Sequence, residues 1–294
     1  MRAAGRGRRS ARRATSCCCG SAIAASCGCT VRRNDAAARA VRRRGRGFAR
    51  AAHGVLSIIV VTRDEAAALG RCLDELARVA RDRGPGALEI VVSDGGSRDG
   101  TRAVVAARPG VRWIEGAAGR GAQLDRGVRA ARGDRLWFLH ADSVPPPGAL
   151  DAIEAVLRRP EVALGAFRFR LDAAGWVYRV IEWGVRLRSE RLGLPYGDQG
   201  LFCRREIHER TGGFGDRRIM EDVAFVRAAR RHGAVCTLPL PLTTSARRWQ
   251  RHGLVRTTLR NWLLLAAGAV GAGEPTLQRL ARAFARRDGR ERTR

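Results

Sequence analysis

The strongest constraint on the fold is an alternation that begins near Val55, in which short β-branched runs of strand length are separated by segments of helical periodicity. VLSIIVVT (55–62) reads as a buried strand. DEAAALGRCLDELARVARD (64–82) reads as an amphipathic helix with Leu69, Leu73, Leu76 and Val79 on one face, broken by Gly84, Pro85 and Gly86. LEIVVSD (88–94) is a second strand, followed by the loop GGSRDG and a helix from about Thr101 to Ala107, and VRWIEG (111–116) is a third strand. GRGAQLDRGVRAARG (119–133) is a glycine-led loop feeding a helix that stops at Gly133. Leu136, Trp137, Phe138 and Leu139 then make a central strand that ends abruptly in His140, Ala141, Asp142 and Ser143. Such alternation predicts an α/β fold with a Rossmann-like, mostly parallel sheet flanked by helices on both faces.

The second half departs from that rhythm. VALGAFRFRLD (162–172) alternates Phe167 and Phe169 with Arg168 and Arg170, a strand with one wet face, and 176–191 reads as an amphipathic helix carrying Trp176, Tyr178, Ile181 and Trp183. Helices are expected from about Arg205 to Gly212 and over 221–233, and the stretch from Trp249 to Ala272 reads as helical and apolar with arginines on its flanks. The expected organisation is a disordered Arg/Cys-rich leader over 1–52, one folded domain over 53–275 that includes a C-terminal helical extension, and a basic C-terminal helix or tail over 276–294.

Charge matters for the choice of partners. The net charge is +28, carried by arginine alone, and it is concentrated at the ends: residues 1–50 hold 14 Arg against Asp35, and 276–294 hold 7 Arg against Asp288 and Glu291. The body is only modestly basic, as suits a protein handling anionic ligands or resting near an acidic membrane. The basic ends lack the aromatic interleaving of a nucleic-acid binder, so no nucleic-acid partner is expected. Five of eight cysteines lie in the leader without partner ligands at zinc spacing, and Cys72, Cys203 and Cys236 are scattered, which fits a reducing compartment. No apolar segment follows the basic start, and Trp262 to Gly273 is too short and glycine-rich to span a bilayer. The expected location is the cytoplasm, with the Trp/Arg-rich C-terminal helix available for peripheral contact with anionic lipid.

Acidic and polar residues fall where strands end or helices begin: Thr62 and Glu65 after the first strand, Asp94 at the end of the second, Asp142 after the fourth, and Glu221 and Asp222 at the start of a later helix. Each has a plain structural reading. Asp142 can start a turn before Pro145, Asp94 can make an Asx-turn before two glycines, and Asp222 can serve a helix dipole for about 0.3–1 kcal/mol. Their joint occurrence points instead to a cleft at the carboxyl edge of the sheet, where open α/β folds bind ligands. His208, His232 and His252 fall on helical surfaces and read as solvated.

With these motifs in order, the sequence resembles the family 2 glycosyltransferases of GT-A fold, through SIIVVTRDE (57–65), VVSDGGSRDGT (91–101), FLHADS (138–143) and MEDVAF (220–225). More closely it resembles the bacterial subgroup labelled arsenosugar biosynthesis or radical-SAM/selenodomain-associated glycosyltransferases, through GRGAQLDRG (119–127), YGDQGLFCRRE (196–206), GGF (212–214), IMEDV (219–223), TSARRW (244–249) and VRTTLRNWLL (255–264).

The resemblance implies an inverting, metal-dependent transfer of a sugar from a nucleotide-sugar donor to a small or lipid-like acceptor. It implies that Thr62, Glu65 and Asp94 bind the base and ribose of the donor, with a UDP-sugar favoured because a carboxylate accepts well from a pyrimidine imide. Asp142 aligns with the last Asp of the family's DxD motif, which holds Mg²⁺ or Mn²⁺ on the donor diphosphate, and His140 stands where the first Asp would be. Arg120 and Gln123 of the glycine-led loop, with Arg248, complete the donor set. Asp222 is the implied general base with Glu221 beside it. Gly197, Asp198, Gln199 and Trp249 are assigned to the acceptor side, although Trp249 also reads as a core tryptophan. Ser245 stands where processive family members carry the Gln of QxxRW, which speaks against polymer synthesis. A nucleotidyltransferase would carry a G-x-G-x-R loop and a lysine near the first strand, and neither follows Val61. An arginine-driven membrane or nucleic-acid binder would need no cleft.

Overall fold

The computed structural model describes residues 54–84 and 86–290, so the leader expected over 1–52 lies outside the described residues. Among the described residues, β1 (Leu56–Thr62), β2 (Leu88–Asp94), β3 (Val111–Glu115), β4 (Arg135–His140), β5 (Val162–Leu171), β6 (Phe202–Arg204) and β7 (Ala234–Thr244) form one sheet in the order β3-β2-β1-β4-β6-β5-β7. Pairing is parallel from β3 to β4 and between β5 and β7, and the short β6 runs antiparallel to both its neighbours. The architecture is therefore the mostly parallel α/β sheet that the alternation predicts.

Two-residue periodicity divides the core. Ile58, Val60, Trp137 and Leu139 face one side, where they meet Leu69, Leu73 and Leu76 of α1 (Ala66–Val79) and Ile153 of α4 (Ala149–Leu157). Ile59, Val61, Leu136 and Phe138 face the other, against Leu124 and Val128 of α3 (Arg120–Ala130) and Phe225 of α7 (Glu221–Ala229). The smaller α2 (Thr101–Ala106) follows β2. Gly127 lets α3 come close to the sheet: a Cβ there would collide with Ile59 Cγ2.

Several elements differ from expectation. β7 contains Pro239 and Pro241, and its pairing to β5 shifts register between Phe167 and Arg168. As the edge strand, bonded beyond the sheet where Thr243 exchanges hydrogen bonds with Val144, it tolerates residues without an N–H donor at Pro239 and Pro241. The stretch expected to be one helix from Trp249 to Ala272 is two, α8 (Arg247–His252) and α9 (Leu254–Ala269), parted at Gly253 with φ +79°. On α5 (Trp176–Leu192), Tyr178, Ile181 and Val185 pack inward while Trp176 and Trp183 are exposed. The C-terminal α10 (Glu274–Arg290) packs against α9.

His208 is a correction. It is buried on α6 (Arg205–Thr211), not solvated: its Nε2 donates to Asp125 Oδ1 at 2.9 Å, and its ring packs against Phe138, Phe214 and Phe225. Asp125, on α3, also accepts from the Phe214 and Gly215 amides at 3.0 and 2.8 Å. One carboxylate thus ties the first half of the chain to the loop leading into α7. Burial by itself raises the Asp125 pKa, but the His208 bond and the two amides outweigh it and hold the carboxyl below its ordinary range.

Two stability outcomes follow from these contacts. Gly127→Ala should cost about 1–3 kcal/mol in chemical denaturation by wedging α3 off β1. Asp125→Ala should cost a similar ~1–3 kcal/mol, since it leaves buried donors unmatched. Because the folded carboxyl pKa is depressed, this stabilisation is complete above the unfolded value of about 3.9 and is lost as pH falls through the folded one. The wild-type advantage over Asp125→Ala should therefore shrink in acid; an unchanged difference down to pH 2 would contradict the assignment.

Candidate active site

From β1 the chain builds outward to β2 and β3, then returns to place β4 on the other side of β1. At such a reversal the flanking loops diverge and leave a crevice beyond the strands' carboxyl ends. The register fixes what stands there: Thr62 pairs with Asp94, and Val61 with His140. A cavity of about 800 Å³ opens at this edge. Its walls include Glu65, Arg120, His140, Asp142, Asp198, Glu221, Asp222, Arg248 and Trp249, so nine of the residues singled out in the sequence share one space.

The remaining five do not line it. Thr62 is buried, with its hydroxyl lacking a hydrogen-bond partner. Asp94 makes the Asx-type turn: Oδ2 accepts from the Gly96 and Ser97 amides at 2.7 Å each, and Oδ1 accepts from Ser97 Oγ at 2.5 Å. Gln123 is a brace, donating to the Thr62 and Ser93 carbonyls at 2.9 and 3.0 Å. Gln199 is fully buried and donates to Phe167 O at 2.9 Å. Gly197 is adjacent to the cavity: its amide donates to Asp222 Oδ2 at 2.8 Å, and a Cβ there would lie 3.2 Å from His140 Nε2.

The acids fall into two groups. Glu65 and Asp142 lie at one end with Arg247, whose Nη2 is 2.7 Å from Glu65 Oε2 and 4.0 Å from Asp142 Oδ2. Burial and then the Glu65 charge raise the Asp142 pKa, against the pull of Arg247 and Arg248. Glu221, Asp222 and Asp198 lie at the other end. Met220, at φ +57°, turns the chain so that Glu221 and Asp222 open α7 toward the cavity. Glu221 is buried and pairs with Arg120 Nη1 at 3.1 Å; burial and then Asp222 push its carboxyl up, and Arg120 opposes them. Asp222 is less buried, oriented by the Gly197 amide on Oδ2 and its neighbour Val223's amide on Oδ1, both at 2.8 Å. Burial raises the Asp198 pKa, with Asp222 adding and Arg188 opposing. His140 sits between the two groups, its imidazole held well below its ordinary pKa by burial, Arg120 and Arg248, and therefore neutral.

A divalent cation would draw its protein ligands from these groups. Among the described residues no cluster of three His, Cys, Asp or Glu side chains can cage a metal. One cavity-facing carboxylate, Asp142, fits Mg²⁺ or Mn²⁺ of the kind bound by one or two carboxylates and completed by phosphate oxygens and water.

Sequence reasoning missed Arg247. It selected Arg248 from the neighbouring RW pair, yet both line the cavity from the short α8, and Arg247 holds Glu65. Trp249 fits both of its readings, since it lines the cavity and packs on Phe169 in a small core with Leu171 and Ala246.

Comparison with known proteins gives the site its context. The family model for glycosyl transferase family 2 matches residues 57–220. No curated protein sequence matches the chain. Among solved structures, the mannosyltransferase PcManGT from Pyrobaculum calidifontis, in complex with GDP-Man and Mn²⁺, superposes with a TM-score of 0.61 at 22% identity, covering 83% of this chain and 74% of that one. S. aureus TarS 1–349 gives 0.54 at 15% identity over 79% and 70%. Glucosyl-3-phosphoglycerate synthase from Mycobacterium tuberculosis, in complex with phosphoglyceric acid, gives 0.50 at 20% over 71% and 79%. At these identities the likeness is one of fold.

The two-group electrostatics can be checked directly. Carboxyl ¹³C NMR should find Glu221 titrating above the ordinary carboxylate range, and Arg120→Gln should raise it further, because the Arg120 charge that opposes burial is removed. A Glu221 pKa that falls in Arg120→Gln would contradict the pairing.

Proposed function

Because this chain belongs to glycosyl transferase family 2, and so is an enzyme of glycosyl transfer with the GT-A fold, we propose that it moves a sugar from a nucleoside-diphosphate donor to an acceptor hydroxyl with inversion. A UDP-sugar is the favoured donor, and the acceptor is small or lipid-like. The order of motifs from GRGAQLDRG to VRTTLRNWLL supports a place in the arsenosugar-type subgroup, whose label alone implies an arsenic-containing acceptor. One observation carries the reading: Asp142 and Asp222, distant in sequence, line the same cavity.

In the proposed mechanism the acceptor oxygen forms a bond to the anomeric carbon as the bond from that carbon to the diphosphate breaks. The Asp222 carboxylate receives the hydroxyl proton, and the departing nucleoside diphosphate keeps the bonding electron pair. The amides of Gly197 and Val223 hold Asp222 in one orientation. Glu221 is buried and engaged by Arg120, which suits it to orienting that cation and leaves the exposed proton transfer to its neighbour. Arg247 and Arg248 flank Asp142, where negative charge develops on the leaving group. Asp142 would hold Mg²⁺ or Mn²⁺, which when bound neutralises diphosphate charge. The neutral His140 adds no further negative charge there. Thr62, Glu65, Asp94 and Gln123 surround the expected nucleoside position, Gln123 and Asp94 by shaping the loops.

Peripheral membrane contact belongs to this proposal. No helix among the described residues is long and apolar enough to cross a membrane. Trp176 and Trp183 of α5 are 76% and 64% exposed, and Val255 and Trp262 of α9 are exposed too, with arginines alongside, a composition suited to an anionic interface. Flotation with anionic vesicles should recover the protein and fail for a Trp176→Ser, Trp183→Ser double variant; no flotation of the wild type would remove this part.

The catalytic assignment is tested by a screen for release of UDP, GDP or dTDP with and without Mn²⁺. Asp222→Asn should lower turnover by about 10²–10⁴-fold with donor affinity little changed. Asp142→Ala should weaken donor binding itself. Full turnover in Asp222→Asn would overturn the choice of base.

A further inference from the structure

The cavity holds more positive charge than the proposed transfer uses. Two of its arginines are already engaged, Arg120 with Glu221 and Arg247 with Glu65. Arg248 of α8, which also reaches toward the leaving group, lines it together with Arg260 of α9 and Arg282 of α10, to which the transfer gives no role, and none of the three pairs with a carboxylate among the described residues. The helices α9 and α10 that carry two of them pack against each other.

Arg260 is the telling member. It is only partly exposed, and its pKa is lowered first by burial and then by the charges of Arg248 and Arg120. Cations that no carboxylate pairs with repel one another in a concave, partly desolvated space, and an anionic ligand relieves that cost.

Electrostatic neighbours also locate the cluster. Asp142 feels Glu65, Arg247 and Arg248. Arg260 feels Arg248 and Arg120, and Arg120 is bonded to Glu221, next to Asp222. Geometry brings the helix that carries Arg260 to the base: Arg227 Nη1 of α7 donates to Gly268 O of α9 at 2.9 Å, and a Cβ at Gly268 would lie 3.6 Å from Met220 Sδ, one residue before Glu221.

We propose that Arg260 and Arg282, with Arg248 at their edge, form a subsite for a phosphate group carried by the acceptor. The inference rests on the glycosyltransferase reading for the word acceptor, and on the cavity alone for the anion. A phosphomonoester suits the cluster better than a single carboxylate: it brings nearly two negative charges and three acceptor oxygens to several forked donors. Seated there, it would anchor the acceptor while a hydroxyl of the same molecule reaches Asp222. The source of the phosphate is a soluble ester or a lipid headgroup.

The test uses the full chain and inorganic phosphate as the probe, titrated calorimetrically with and without saturating nucleoside diphosphate and Mn²⁺. Phosphate should bind with the nucleotide in place. Arg260→Gln should weaken phosphate by about tenfold or more while leaving nucleotide affinity nearly unchanged. Arg282→Gln, at an exposed position, should shift phosphate in the same direction without a folding penalty. Exclusion of phosphate by the nucleotide would overturn the proposal, because the cluster would then belong to the donor diphosphate; so would unchanged phosphate affinity in both variants. Failure of every nucleoside diphosphate to bind would count against the transferase reading, whereas Arg260-dependent phosphate binding would still support the subsite. Competition by sn-glycerol 3-phosphate identifies a soluble ester, and competition by phosphatidic acid vesicles alone identifies a headgroup. Failure of both to displace phosphate would count against an acceptor role.

Discussion

The site depends first on the parallel pairing of β4 with β1. That pairing sets Val61 opposite His140 and leaves Asp142 just beyond the sheet, on the side of β1 away from β2. Were β4 added beyond β3 instead, the same residues would sit at a sheet edge with no diverging loops to enclose them. The two cores secure the arrangement, since Trp137 and Leu139 are buried on one face of β4 and Leu136 and Phe138 on the other. A slip of one residue would exchange these sets and turn the carboxyl end of β4 over.

The first half of the chain supplies one wall, and the second half must be fastened to it. Asp125 does much of this, gathering His208 and two loop amides from the segment that precedes α7. Gly121, one turn before Asp125 on the same helix, allows the backbone of Gly215 to approach so closely that a Cβ would strike its carbonyl oxygen. Arg120 then lies beside Glu221, and Asp222 beside Gly197. Structural and chemical groups are interleaved along GRGAQLDRG: Arg120 faces the cavity, Gln123 braces the strand ends, and Asp125 anchors the partner loop.

This interleaving explains what was legible in the sequence. β1 to β4 and their helices follow from local periodicity, and the residues at strand ends follow from the rule for open sheets. Gln123 and Gln199 carry motif positions but are consumed by backbone carbonyls, a distinction that only tertiary contacts reveal. β7 was hidden by its two prolines, which an edge strand tolerates, and the break at Gly253 was hidden by continuous apolar content on both sides. His208 looked like an ordinary helix-surface residue because its aromatic neighbours come from β4, the loop before α7 and α7 itself. Arg260 had no local signal; its position matters only because α9 and α8 fold back over the cavity.

The charge layout gives His140 a physical sense. A carboxylate at that position would stand between Asp142 and the Glu221–Asp222 pair, joining the acidic groups into one negative field. The imidazole, neutral through burial and the nearby Arg120 and Arg248, keeps them separate. In the proposed mechanism separation matters because the two ends have opposite tasks: one would tolerate a diphosphate gaining charge, and the other would keep a carboxylate ready to accept a proton. Arginines flank Asp142 and approach Glu221, so each acidic group has its own counter-charge, whereas Arg260 has none among the described residues. With two compensated acidic ends and one basic wall that lacks carboxylate partners among the described residues, the cavity has the asymmetry that the proposed transfer between two substrates needs, since the second can be recognised by a charge that the first does not satisfy.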